Sequence, residues 1–205
     1  DEDPAARRVP PRWFRGPPRV AVPPTAALAF PDPAYGPEAF DAARARLVEL
    51  GCELVELDPT PFLAAGDLLY SGPWVAERTA AVGDFLRTHP DAVHPVTAKI
   101  IGGGEGLDAV ATFRGFDRLR ELALAANRVF EEADAVLLPT ADRFPTLAEV
   151  EAEPIAVNTA LGRFTNFMNL LDYAAVALPA GTTEAGFPFG VTLFAPAGAD
   201  RALLE

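Results

Sequence analysis

The 205-residue chain is half hydrophobic, 22% charged and carries a formal net charge of −12. That is the composition of a globular domain with a sizeable core, and without a clustered Lys/Arg block neither nucleic acid nor an anionic membrane is expected as a partner. The single cysteine, Cys52, excludes an internal disulfide and points to the cytosol, and no run of about 18 apolar residues is there to span a bilayer.

In chain order, residues 1–18 are rich in proline and arginine and read as an extended lead-in to a main region 19–205. Residues 19–23 read as a short buried strand. Pro37 opens a helix, where its missing N–H costs least. Phe40, Ala43, Leu47 and Leu50 recur in it at helical spacing, and Gly51 ends it. Residues 52–57 form a second strand closed by Asp58-Pro59, in which Cys52 reads as a buried, inert thiol. Strand, helix, strand is the unit of a largely parallel sheet, so the fold class is α/β.

Residues 60–130 read as helical with breaks at Gly72-Pro73, at His94-Pro95 and at the glycine run 102–106. The glycine run follows a helix and lacks any phosphate-loop pattern, so it predicts a flexible helix–helix joint. A long helix over 107–132 places Phe113, Leu119, Leu122, Ala126 and Val129 on or near one face. The continuous apolar run 135–139 suits a strand buried on both faces. Strands are further predicted at 174–179 and 191–195, with a short helix beginning near Ala199. In a chain ending there, half a sheet would leave 135–138 and 174–178 unpaired or uncovered on one side, which favours association.

Catalytic residues are scarce: one serine (Ser71), one lysine (Lys99) and two histidines (His89, His94). No G-x-S-x-G elbow surrounds Ser71, which predicts a cap for the helix that Pro73 starts rather than a nucleophile. His89 and His94 lack ligand spacing, so no metal is expected, and no cofactor motif is present. Glu131-Glu132 reads as a solvated pair. Two stretches invite more. Tyr70 and Arg78 flank the Gly72-Pro73 break, which lets two helical segments meet at an angle and their polar tips converge, with Arg78 offering a planar fork for a carboxylate. An Arg–Glu surface pair beside a half-buried tyrosine is the competing account. The segment 158–191 is dense in Asn, Gly and Pro within apolar surroundings, which suits either a site at strand ends or scaffolding of the turns.

These stretches carry a resemblance. T-N-F-M-N-L-L-D-Y-A-A-V-A-L-P-A-G at 165–181 and G-F-P-F-G-V-T-L at 186–193 resemble the closing region of the amidase-signature family. L-L-Y-S-G-P-W-V-A-E-R at 68–78, H-P-V-T at 94–97, L-L-P-T at 137–140 and A-E-V-E-A-E-P-I-A-V-N-T-A-L-G at 148–162 resemble its allophanate hydrolases. The sequence departs from them at Ala141-Asp142-Arg143, where relatives more often continue with Ala-Pro. The resemblance implies a mixed sheet with flanking helices and an amidase acting on a small carboxylate-bearing amide, allophanate, without a cofactor. It implies that Tyr70 and Arg78 hold the substrate. The family's two serines and lysine, in a Gly/Ser-rich loop, have no counterpart here, and Lys99 matches no catalytic position. The resemblance therefore covers the carboxy-terminal half of the amidase domain, with the amino-terminal half as the implied partner and a homodimer as a further one. An amidotransferase subunit and a non-catalytic scaffold derived from an amidase are the alternatives.

Overall fold

The computed structural model describes residues 9–205, so the first eight residues of the expected lead-in lie outside the described residues. In chain order it contains β1 (Arg19–Val22), α1 (Pro37–Glu49), β2 (Glu53–Glu56), α2 (Thr60–Ser71), α3 (Trp74–Thr88), α4 (Pro95–Gly102), α5 (Ala109–Asn127), β3 (Ala135–Pro139), α6 (Leu147–Ala152), α7 (Pro154–Leu161), α8 (Phe167–Leu171), β4 (Tyr173–Thr182), β5 (Pro188–Pro196) and α9 (Asp200–Leu204). The chain divides into two compact units. One comprises the residues up to Leu57 with Val129–Thr140 and Asp172–Glu205; the other comprises Asp58–Arg128 and Ala141–Leu171.

The first unit is built on a five-stranded mixed sheet in the order β2-β1-β3-β5-β4. β1 runs parallel to β2 and β3, while β5 is antiparallel to β3 and β4. Every residue of β3 is buried, as its continuous apolar run demands. The expectation that β3 would be unpaired or uncovered on one side is corrected: β1 and β5 pair with it on both sides, and the outer strands are β2 and β4. β4 is also longer than 174–179, because a register shift between Pro179 and Thr182 carries the hairpin past a proline that has no N–H to give. Phe40 of α1 is fully buried. Ala135, Ala174, Ala195 and Ala199 form an alanine seam against which Phe14, Leu193 and Leu203 pack. Tyr173 stacks on Phe194 with centroids 5.3 Å apart, and burial pushes its phenol up. Cys52 is half-buried rather than buried, and burial raises its thiol as well.

The second unit is helical. Phe62 of α2 packs on Phe167 of α8 at 5.3 Å between ring centroids. α5 is capped by Asp108, which accepts from the Ala111 N–H at 2.7 Å. Leu122 and Ala126 are its buried residues, whereas Phe113 is 69% exposed, so the apolar face is narrower than the spacing predicted. The glycine run is not a loose joint. Gly104 is buried against α3, and the Thr79 hydroxyl of α3 donates to the Ile101 carbonyl. Ser71 does not cap α3. Its hydroxyl donates back to the Asp67 carbonyl at 2.8 Å, closing α2 on itself.

Candidate substrate site

Gly72 makes the break between α2 and α3. Its backbone is extended, and a Cβ placed there would lie 2.6 Å from the Leu68 carbonyl oxygen and 3.0 Å from the Trp74 ring. Only glycine lets the chain turn this closely over its own last helical carbonyls. Trp74 then starts α3 and meets Phe116 of α5 edge-on at 5.8 Å, which fixes the direction in which α3 leaves the break.

Tyr70, in the last turn of α2, is 37% exposed. Arg78, on α3, is half-buried, and its Cζ lies over the Tyr70 ring, 5.3 Å from the centroid. The Arg78 guanidinium therefore meets the face of the Tyr70 ring and not its hydroxyl, within the range of a cation–π contact. Among the described residues Arg78 forms no ion pair. Asp84, a carboxylate that could have claimed it, pairs instead with Arg87. No hydrogen bond among the described residues uses its N–H donors, which leaves the fork available to a ligand.

Tyr70 also lines a cavity of about 410 Å³, together with Asp67, Arg163 and Asn166. Sequence reasoning did not single out these three. Arg163 and Asn166 both lie in the Asn-, Gly- and Pro-dense segment 158–191, and Asp67 stands one helical turn before Tyr70. Nothing local indicates that Arg163 faces the same space.

The remaining titratable groups are engaged locally or exposed. His89 stacks on Phe85 at 4.7 Å, and His94 caps α4, its Nδ1 accepting from the Val96 N–H at 3.3 Å. Lys99 is exposed on α4. Asp142, in the departure from the resembling sequences, is only 2% exposed, with Oδ1 at 3.4 Å from Arg143 Nε. Glu131 and Glu132 are both exposed. Among the described residues no group of three or more His, Cys, Asp or Glu side chains is placed to hold a metal, and no helix is long and apolar enough to cross a membrane.

The family model described as Amidase matches residues 10–204. This chain belongs to the amidase family. Among its relatives, the urea amidolyase of Lachancea kluyveri is 37% identical over 196 residues, which are 92% of this chain and 11% of that protein. The structure of Kluyveromyces lactis allophanate hydrolase superimposes with a TM-score of 0.89 at 32% identity, covering 97% of this chain and 33% of the other. That of the K. lactis urea amidolyase superimposes with a TM-score of 0.91 at 33% identity, covering 99% of this chain and 12% of the other. The chain thus spans about a tenth of the urea amidolyases and a third of the allophanate hydrolase. The mixed sheet with flanking helices is the amidase fold of these relatives, seen over that share of their length.

Proposed function

We propose that this chain is the substrate-holding part of an amidase that hydrolyses allophanate, and that Tyr70 and Arg78 grip the substrate while the nucleophile comes from the rest of the amidase domain. The observation that carries the reading is the meeting of Arg78 and Tyr70, 5.3 Å from guanidinium carbon to ring centroid, at a cavity that Tyr70 lines. Allophanate bears a carboxylate and an amide, and a guanidinium fork suits the first. The relatives named allophanate hydrolase and urea amidolyase support the substrate class.

The chemistry expected of the intact enzyme is acyl transfer: a nucleophile attacks the amide carbon, ammonia leaves, and water releases the acyl group. This chain has one serine, whose hydroxyl is engaged with the Asp67 carbonyl, so it serves recognition and not attack. In the intact amidase, Arg78→Ala removes a charge-assisted bond, a loss of about 10- to 200-fold in kcat/KM. Arg78→Lys should recover part of that, because a point charge does not reproduce the fork. Tyr70→Phe should cost less, about 0.5–1.5 kcal/mol for one neutral hydrogen bond. Biuret, which lacks the carboxylate, should be indifferent to Arg78→Ala. Equal slowing of both substrates together with a lower melting temperature would show Arg78 to be structural and defeat the assignment.

A further inference from the structure

We propose that the cavity between α2 and α7 is a two-ended site for a small carboxylate that also bears N–H donors, with Arg163 and Asn166 holding the carboxylate and Asp67 accepting from the N–H groups. It rests on the reading above in that Tyr70 belongs to both, but it names residues and a division of labour that the reading lacks.

The walls are two helical stripes. From α2 come Leu63, Gly66, Asp67 and Tyr70, at positions i, i+3, i+4 and i+7. Ala156, Thr159, Ala160 and Arg163 stand at the same spacing along α7 and the turn after it. Facing stripes at this spacing ordinarily interdigitate. Here Gly66, Ala156 and Ala160 have too little side chain to do so, and about 410 Å³ stays open. The walls close where Gly66 approaches the neighbouring turn: a Cβ there would lie 3.5 Å from Asn166 Cβ and 3.8 Å from the Arg163 carbonyl oxygen. The volume is that of a small-molecule site.

The polar groups lining it are unspent. Among the described residues the Arg163 guanidinium makes no ion pair or hydrogen bond. It lies over the ring of fully buried Phe164, 5.6 Å from the centroid, and its N–H donors stay available to a ligand. The Asp67 carboxylate likewise has no partner among the described residues, although its backbone carbonyl accepts from Ser71. Thr159 is different, because its hydroxyl is committed to the Ile155 carbonyl at 2.8 Å. Opposite charges thus line one space without pairing with each other, and a ligand that is anionic at one end and N–H-bearing at the other completes both. The local cation matters all the more because the chain's net charge of −12 repels a carboxylate at long range.

The experiment is calorimetric titration of the intact amidase containing this chain with malonamate, which has a carboxylate and an amide, and with malonamide, which has amides at both ends. Arg163→Gln should weaken malonamate by about 10- to 200-fold, the equivalent of one charge-assisted bond, and leave malonamide unchanged. Arg163→Lys should restore part of the loss, and Asp67→Asn should weaken both compounds. Should Arg163→Gln fail to fold, Ala156→Phe fills the cavity from an exposed helical position without altering a charge, and must abolish binding of both. Equal weakening of the two compounds by Arg163→Gln, no change in malonamate, or full binding by Ala156→Phe overturns the proposal. A selective loss of malonamate by Arg78→Ala but not by Arg163→Gln defeats this inference alone, and the reverse defeats only the Arg78 assignment.

Discussion

Gly104 and Gly102 stand two residues apart and should respond oppositely to a methyl group. A Cβ on Gly104 would fall 2.5 Å from the Val75 carbonyl oxygen and 2.7 Å from Ala76 Cα, both backbone atoms of α3 that cannot swing aside. Gly104→Ala should therefore destabilise by about 1–3 kcal/mol, as overpacking does. Gly102 has helical backbone angles and open space around it, so Gly102→Ala should be neutral or stabilising by about 0.4–1 kcal/mol. Urea denaturation of the two variants checks both, and equal effects would show that the glycine run is loose after all. Cys52 offers a second test. Burial raises its thiol, so iodoacetamide alkylation should rise with pH later than that of a free cysteine, and mass spectrometry across a pH series reads this directly.

At the scale of elements, α6 is a short helix that depends on its ends. Thr146 Oγ1 accepts from the Glu149 N–H at 3.2 Å, and Glu149 Oε2 accepts from the Thr146 N–H at 2.7 Å, a reciprocal capping box. Thr146→Ala should cost about 0.5–2 kcal/mol. The Thr146 backbone N–H first, and its hydroxyl second, hold the Glu149 carboxyl below the usual glutamate value. Folding thus favours the ionised form. The contribution is complete above the ordinary glutamate pKa and is lost as pH falls through the lower folded value. An NMR titration should find the Glu149 midpoint below that of free glutamate, and Thr146→Ala should move it back up. An unchanged midpoint in the variant would separate the cap from the shift.

For the whole molecule, the outer edge of β4 and the exposed apolar residues of α5 set the expected behaviour of the isolated chain. β4 has ten residues and, among the described residues, a strand partner on one side only. Phe113 is 69% exposed and Leu124 72%. Unpaired edges and open apolar surface promote association, so light scattering should show oligomers and an apolar dye should bind. A monodisperse monomer that binds no dye and unfolds in one cooperative step would refute this. The isolated chain should also release no ammonia from malonamate, and Ser71→Ala should change nothing. Turnover lost on that substitution would make Ser71 a nucleophile.

Sequence by itself determined the order and type of most elements, because their signals are local: Pro37 opening α1, Gly51 ending it, the apolar run of β3, and Gly72-Pro73 dividing α2 from α3. It also marked Tyr70 and Arg78 as flanking a break between two helices, itself a short-range feature, while leaving an Arg–Glu surface pair as the competing account. Family membership was legible in the segments 68–78 and 165–181. Tertiary structure alone decided that β3 is central and β4 outer, and that Phe113 faces outward. It also decided that Ser71 turns back into its own helix, and that Asp67 and Arg163 share a cavity with Tyr70. These depend on which distant segments pack together. Periodicity shows that a helix has a buried face without showing what covers it, and hydrogen-bonding capacity does not name the partner.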